Sequence, residues 1–163
     1  MLDQELLEAA ENNDVETIQR CIDQGADINT TNEDEDTALH LAIGVWSFDT
    51  AQLLLECGAD PNAQNEEGDT PLHVCVYTRD IEKMKLLLKY RANPNIKNIT
   101  GNTPLHFATT LTRIEYNYAI EAVKLLLEHG ADINIVNDMG HSVCQLPINP
   151  EVQFLLNIHM AHS

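Results

Sequence analysis

The sequence predicts an all-α solenoid of about five stacked helix-turn-helix units, joined by short β-turn fingers. The phrase GDTPLHVC at residues 68–75 returns 33 residues later as GNTPLHFA, and a weakened copy, EDTALHLA, stands 33 residues earlier. A fixed period of this size is typical of repeat proteins, in which each unit buries its apolar face against the next. A second phrase follows the apolar run of each unit; its copies are GADIN at 25–29, GADPN at 58–62, RANPN at 91–95 and GADIN at 130–134.

The residue types of the first phrase suit the start of a helix. Thr70 can cap the helix with its hydroxyl, and Pro71 takes the first helical position, where a missing N–H costs nothing. His73 is close enough to return a ring nitrogen to the Thr70 hydroxyl or to a neighbouring backbone group. Gly68 stands two residues before the cap, where a tight turn favours a positive φ. Each unit is therefore a turn, two helices and a Gly stop.

These phrases resemble the ankyrin-repeat family, whose signature is Thr-Pro-Leu-His-x-Ala with a period of 33 residues. The resemblance covers nearly the whole chain, in three registered copies. It implies an ankyrin-repeat solenoid in which the turn tips, called fingers below, line a concave groove together with the first helices. Because proteins of this kind bind protein partners in that groove, the resemblance implies a binding module instead of a catalyst.

A single domain over residues 1–163 is expected, and it begins with a capping repeat at 1–31 that lacks the turn. The second repeat, at 32–64, departs most from the pattern, since Glu35 replaces the turn Gly and Trp46 occupies the usual interhelix Gly position. If Glu35 adopts a left-handed conformation, the strain costs about 1 kcal/mol. Some local looseness is therefore expected in this repeat.

The third repeat, at 65–97, keeps the pattern best. Its second helix carries Lys83, Lys85 and Lys89, which spread around the helix instead of stacking on one face. This spread indicates a solvated outer surface for all three lysines. It does not indicate a binding site.

The fourth repeat, at 98–136, carries a six-residue insertion around residues 112–118, between its two helices. Insertions in repeat arrays fall in loops on one face, often the binding face, although tolerance of extra length explains this one equally well. The last repeat, at 137–163, is a truncated C-terminal cap, because Pro147 and Pro150 cannot lie in a helix interior. Its first helix is therefore expected to be short.

Composition and charge exclude several function classes. The net charge of −17 belongs entirely to residues 1–69, which hold 18 acidic residues and one basic residue, Arg20. Nucleic acid is excluded as a ligand there, since phosphate binding needs Lys and Arg. Four cysteines without a pairable spacing indicate reduced thiols in an intracellular protein. Without a leader-like N-terminus or a membrane-length apolar run, a cytoplasmic location is expected, with the nucleus left open.

The sequence carries no pattern of catalysis, and no cofactor is expected. There is no P-loop, GxSxG or HExxH motif and no nucleophile–base constellation, so the chain is interpreted as a non-enzyme. The acid-rich stretch 27–38 fails as a calcium loop, because Ala38 stands where the bidentate Glu belongs. His40, His73 and His106 recur about one repeat apart, too far to share a metal ion. No metal site is predicted.

Mapping the resemblance onto this chain gives candidate partner-binding residues in the fingers and along the first helices. The first two fingers carry only carboxylates, the later ones are neutral and partly apolar, and aromatic residues, which dominate interface energetics when desolvated, flank them. We therefore expect a monomer that binds a basic, partly apolar protein segment; solubility is the alternative role of the acids. The candidates are Glu33, Asp34, Asp36, Trp46, Glu66, Glu67, Asp69, Tyr77, Ile99, Thr100, Asn102, Leu111 and Tyr116.

Two other functions stay open. Some ankyrin proteins are hydroxylated on the Asn that ends the second phrase. The resemblance implies such sites here, although Asn that shapes its own turn explains these residues without any modification. Small free-standing arrays also occur as protein-kinase inhibitors, but no residue points to a kinase, and an adaptor is equally compatible with the sequence. The candidate hydroxylation sites are Asn29, Asn62, Asn95 and Asn134.

Overall fold

The computed structural model describes residues 1–44, 47–110, 116–146 and 150–162, except for the side chains of Tyr116 and His162. Within these ranges the regular structure is helical, apart from one isolated antiparallel bridge between Thr31 and Thr37. The predicted all-α class is therefore confirmed. No helix in the described ranges is both long and apolar enough to cross a membrane.

Contacts divide the chain into two compact units, residues 1–92 and 93–163. In the first unit the first helices of successive pairs, α1, α3 and α5, pack side by side, and the second helices, α2, α4 and α6, form another layer. Leu6, Leu39 and Leu72 are fully buried in the first layer, and Leu54 and Leu87 are fully buried in the second. The six helices are Leu2–Glu11, Val15–Asp23, Ala38–Gly44, Phe48–Glu56, Pro71–Thr78 and Ile81–Lys89.

The second unit contains α7, α8 and α9 and a three-residue 3-10 helix before α9. Leu105, Leu126, Val143 and Leu156 are fully buried there. The first helix of the last repeat is reduced to the 3-10 helix, as the prolines predict, and Pro150 begins α9, where its missing N–H is tolerated. The elements are Pro104–Thr110, Tyr116–Glu128, Val143–Gln145 and Pro150–His162.

The left-handed conformation expected for Glu35 is present. Its φ is 60°, close to the φ of 69° at Gly68, the equivalent position of the next repeat. The other fingers also use Gly at this position. Glu35 therefore carries strain that a Cβ causes and that Gly avoids.

Replacing Glu35 with Gly should raise the free energy of unfolding by about 0.5–1 kcal/mol, because the strain is relieved. Urea denaturation followed by circular dichroism measures this change. Glu33→Gly is the matched control, since it removes the same charge from the same finger at a residue without a positive φ. An equal gain in both variants would assign the effect to charge and not to strain.

The prediction that all three lysines of α6 are solvated is wrong for Lys83. Lys85 and Lys89 are exposed, but only 2% of Lys83 is accessible. The Lys83 ammonium donates to the main-chain oxygens of Ala42 at 3.4 Å and Ile43 at 3.1 Å, and it lies 3.6 Å from the Asp80 carboxylate. Burial is possible because the carbonyls at the end of α3 offer a negative partner that the pattern of α6 cannot show.

Candidate partner-binding surface

Each finger is closed by an asparagine at its first residue. The side-chain oxygen of Asn32 accepts hydrogen bonds from the main-chain N–H of Asp34 at 3.0 Å and of Asp36 at 2.9 Å, and the Asn32 N–H donates to the Asp36 carbonyl. The sequence analysis missed these asparagines, although their regular spacing was a usable signal. The four equivalent residues are Asn32, Asn65, Asn98 and Asn137.

Neighbouring fingers within the first unit are tied to each other. The Glu66 N–H donates to the Asp34 carbonyl at 3.0 Å, and the Asn65 side chain donates to the Asp36 carboxylate at 2.9 Å. These bonds fix the separation of two finger tips that carry only acidic side chains. Asp36 therefore serves mainly to hold this pair of fingers in place, although it was predicted as a binding residue.

The second unit repeats this arrangement with neutral residues. The Asp138 N–H donates to the Thr100 carbonyl at 3.1 Å, and the Asn137 side chain donates to Asn102 at 3.0 Å. The predicted binding residues Thr100 and Asn102 are thus brought together at one edge of this unit. Ile99 stands beside them with 66% of its surface exposed.

Buried histidines connect each first helix to its own cap and to the next finger. In the first unit the Thr37 N–H donates to Nδ1 of His40 at 3.2 Å, which leaves the ring proton on Nε2. That nitrogen donates to the Asp69 carbonyl, 3.1 Å away, in the following finger. His106 makes the same pair of bonds with Thr103 and His141 in the second unit. The predicted Thr–His pairing is present, and its role is to position the fingers.

Stability should fall as the pH drops below about 6.5. Burial lowers the pKa of His40 and His106 from an ordinary value of 6.5. The unfolded chain then takes up protons at a higher pH than the folded chain, so stability declines by up to about 1.4 kcal/mol per pH unit for each histidine. Urea denaturation at several pH values measures this slope. The double variant His40→Gln, His106→Gln should flatten it; an unchanged slope would contradict the assignment.

Acidic side chains of the first two fingers form one patch, called the acidic patch below. Its exposed members are Glu33, Asp34, Glu35, Glu66 and Glu67. The charge of Glu67, followed by burial and the charges of the other finger, raises the pKa of Glu66 above its ordinary value. The charges are therefore close enough to repel one another. Glu35 belongs to this patch, although the sequence analysis treated it only as a turn residue.

Two other predicted binding residues lie beside the acidic patch. Asp69 is only 9% exposed, so the prediction of a solvated carboxylate at this finger is wrong; the bond from His40 to its carbonyl draws it inward. Tyr77 is 49% exposed. Partial burial, together with the charges of Asp69 and Glu67, raises the pKa of the Tyr77 hydroxyl to about 12. An aromatic ring thus adjoins the carboxylates, as expected.

A cleft of about 180 Å³ lies between the fingers of the second unit and α7. Its apolar walls are Phe107, Met139 and Leu146, none of which was among the predicted binding residues. Met139 is the most accessible of them, with 81% of its surface exposed. The predictions for Trp46 and Leu111 lie outside the described residues, as do the side chain of Tyr116 and most of the insertion.

The four candidate hydroxylation sites have structural partners. Asn29 accepts a hydrogen bond from the Asp60 N–H at 2.9 Å, and Asn95 accepts one from the Asp132 N–H at 2.7 Å, so both join consecutive arms. Asn62 donates to the Arg91 carbonyl, and Asn134 donates to Asp132. These bonds account for the four asparagines, and their hydroxylation stays a prediction. Within the described residues, no three His, Cys, Asp or Glu side chains converge to hold a metal ion.

The repeated helix pairs and the Thr–His caps agree with a family profile described as ankyrin repeats in three copies, which matches residues 6–98 and 45–137. The chain is an ankyrin-repeat protein. Comparison with curated proteins found no matching relative. Ankyrin repeats are protein–protein interaction modules, and ankyrin domains are typically non-catalytic. The function of this ankyrin-repeat protein is therefore sought in its exposed fingers.

Proposed function

We propose that this ankyrin-repeat protein binds a basic, partly apolar segment of a protein partner with its fingers and first helices, and that it has no catalysis of its own. The observation that carries the proposal is the acidic patch, in which two adjacent fingers present five exposed carboxylates. An adaptor and an inhibitor would use this surface in the same way. The kinase-inhibitor alternative has no support from a particular residue.

The acidic patch is electrostatically unfavourable in the free protein. Like charges raise the pKa of Glu66, and within the described residues none of the five carboxylates forms an ion pair. A lysine or arginine from a partner would relieve this repulsion, which a role in solubility alone does not require. Such a field also accelerates association with a cationic partner and weakens as salt is added.

The patch is also held in a defined geometry before any partner arrives. The bonds from Glu66 to Asp34 and from Asn65 to Asp36 lock the two fingers together, and His40 fixes the end of the second one. A preorganised surface loses little conformational freedom on binding, so more of the interaction energy appears as affinity. Tyr77 supplies an aromatic surface beside the charges for the apolar part of the partner.

Reversing Glu33, Asp34, Glu66 and Glu67 to Lys should weaken partner capture by at least about tenfold, because four attractive interactions become repulsive. Immobilised protein would be exposed to extract of the source cells at low and high salt, and retained proteins would be identified by mass spectrometry. Their affinities would then be measured with purified partner.

The matched control reverses four exposed acids of α2 and α4, which changes the net charge equally but leaves the fingers intact: Glu16, Asp23, Asp49 and Glu56. Circular dichroism should show unchanged helical content in both variants. Equal loss in the two variants would reduce the effect to net charge. Capture that survives the finger reversal would refute the acidic patch as the binding site.

A further inference from the structure

The cleft of the second unit differs in chemistry from the acidic patch. Phe107, Met139 and Leu146 give it apolar walls, and its described lining contains no carboxylate, lysine or arginine. The polar lining includes Thr100 and Asn102, which can hydrogen-bond to a peptide backbone. The cleft therefore combines an apolar interior with a polar rim, which is the usual composition of a site for a specific ligand group.

The size of the cleft fits one side chain. Its volume is about 180 Å³. A closed apolar cavity of about 150 Å³ accommodates benzene, whereas sites for drug-sized molecules measure about 300–1,000 Å³. The cleft is therefore too small for a typical cofactor and large enough for a phenyl ring or an isobutyl group.

The walls of the cleft are fixed by hydrogen bonds. The Asn137 side chain, which is 8% exposed, accepts from the N–H groups of Met139 and His141, both at 3.1 Å, and donates to Asn102. The Asp138 N–H also joins this finger to Thr100. Because these bonds exist without a ligand, the cleft does not have to be assembled on binding.

The charges near the cleft favour an uncharged occupant. Asp138 is exposed on the finger that carries Met139, and the positive charge of Lys97 reaches the buried ring of His106 in the cleft lining. These two opposite charges leave a cationic head group little net attraction here, in contrast to the acidic patch. An apolar side chain, by comparison, gains by leaving water.

We propose that this cleft receives a single phenyl or isobutyl side chain from the partner segment whose basic residues bind the acidic patch. The inference rests on the proposed function and specifies its partner: the segment must carry a Phe or Leu anchor in addition to its Lys or Arg residues. The anchor determines which basic segments are accepted, because charge attraction alone does not discriminate among them.

The probes for this proposal are the N-acetyl amides of phenylalanine, leucine, alanine and lysine, added to protein labelled with ¹³C in its methionine methyl groups. We expect saturable shifts of the Met139 methyl signal with the Phe and Leu amides, with Kd values of about 1–10 mM. The Ala and Lys amides should bind at least about tenfold more weakly. The signal of Met84, fully buried in the first unit, is the internal reference.

Leu146→Glu places a carboxylate in the wall and should invert the preference, so that the Lys amide binds and the Phe amide does not. Gln145→Glu adds the same charge one residue away, outside the lining, and should leave the preference unchanged. Equal shifts for all four amides, or none, would overturn the cleft while leaving capture by the acidic patch unaffected. If the finger reversal does not reduce capture but Met139 still responds selectively, the proposed function fails and the cleft remains a site for an apolar group.

Discussion

Replacing Lys83 with Ala should lower the free energy of unfolding by about 3 kcal/mol or more, the largest effect expected from a single side chain of this protein. The substitution removes a buried ammonium that bonds to the carbonyls of Ala42 and Ile43 and lies beside the Asp80 carboxylate. Removing one partner of a buried charged group leaves the other groups without compensation and costs about 3–5 kcal/mol. The loss of the side-chain stem adds a cavity.

Urea denaturation of three variants separates these contributions. Lys83→Met keeps the volume of the stem, so the difference between the Met and Ala variants measures packing, and the remaining loss measures the hydrogen bonds of the ammonium. Lys85→Ala is the matched control, because Lys85 is exposed on the same helix. Its effect should stay within about 0.5 kcal/mol. A Lys83→Ala variant as stable as this control would refute the buried position of Lys83.

Gly101→Ala should lower the free energy of unfolding by about 2–4 kcal/mol. Gly101 has a φ of 74°, and a Cβ added there would lie 2.6 Å from the main-chain nitrogen of Asp138. The substitution therefore adds backbone strain of about 1 kcal/mol to a clash that costs about 1–3 kcal/mol. Since that nitrogen donates to the Thr100 carbonyl, relief of the clash would break the bond between the two fingers.

Gly58→Ala isolates the strain, because Gly58 has a φ of 95° but no atom within 4 Å of an added Cβ. Urea denaturation should therefore show a loss of only about 1 kcal/mol for this variant. The Met139 methyl signal should also shift in Gly101→Ala and stay in place in Gly58→Ala. Equal losses of stability in the two variants would show that the fingers of the second unit do not approach each other as closely as the structure indicates.

The repeat period and the local chemistry of helix starts were sufficient to predict the fold. Thr70, Pro71 and His73 act within a few residues of one another, so their roles can be read from the sequence alone. The left-handed conformation of Glu35 followed in the same way, by alignment with Gly68. The meeting of two acidic finger tips was also predictable, because residues one period apart occupy equivalent places in adjacent units.

Features that depend on contacts between repeats could not be predicted in this way. Lys83 is buried because main-chain oxygens about 40 residues earlier accept its hydrogen bonds, and backbone groups leave no trace in a pattern of side chains. Asp69 is withdrawn from solvent for a similar reason, since its carbonyl binds His40. The cleft combines Phe107, Met139 and Leu146, whose sequence spacing follows no period.

The bonds from His40 to Asp69 and from His106 to His141 run in one direction, from an imidazole to a carbonyl that comes later in the chain. Fraying of the later finger therefore strips the earlier histidine of its acceptor and lets it take up a proton, which opposes rejoining in acid. Fraying of the earlier helix leaves behind only an amide oxygen, which water can solvate. Acid should consequently unzip each of these contacts from its C-terminal side, which gives the two ends of the chain unequal susceptibility to proteases.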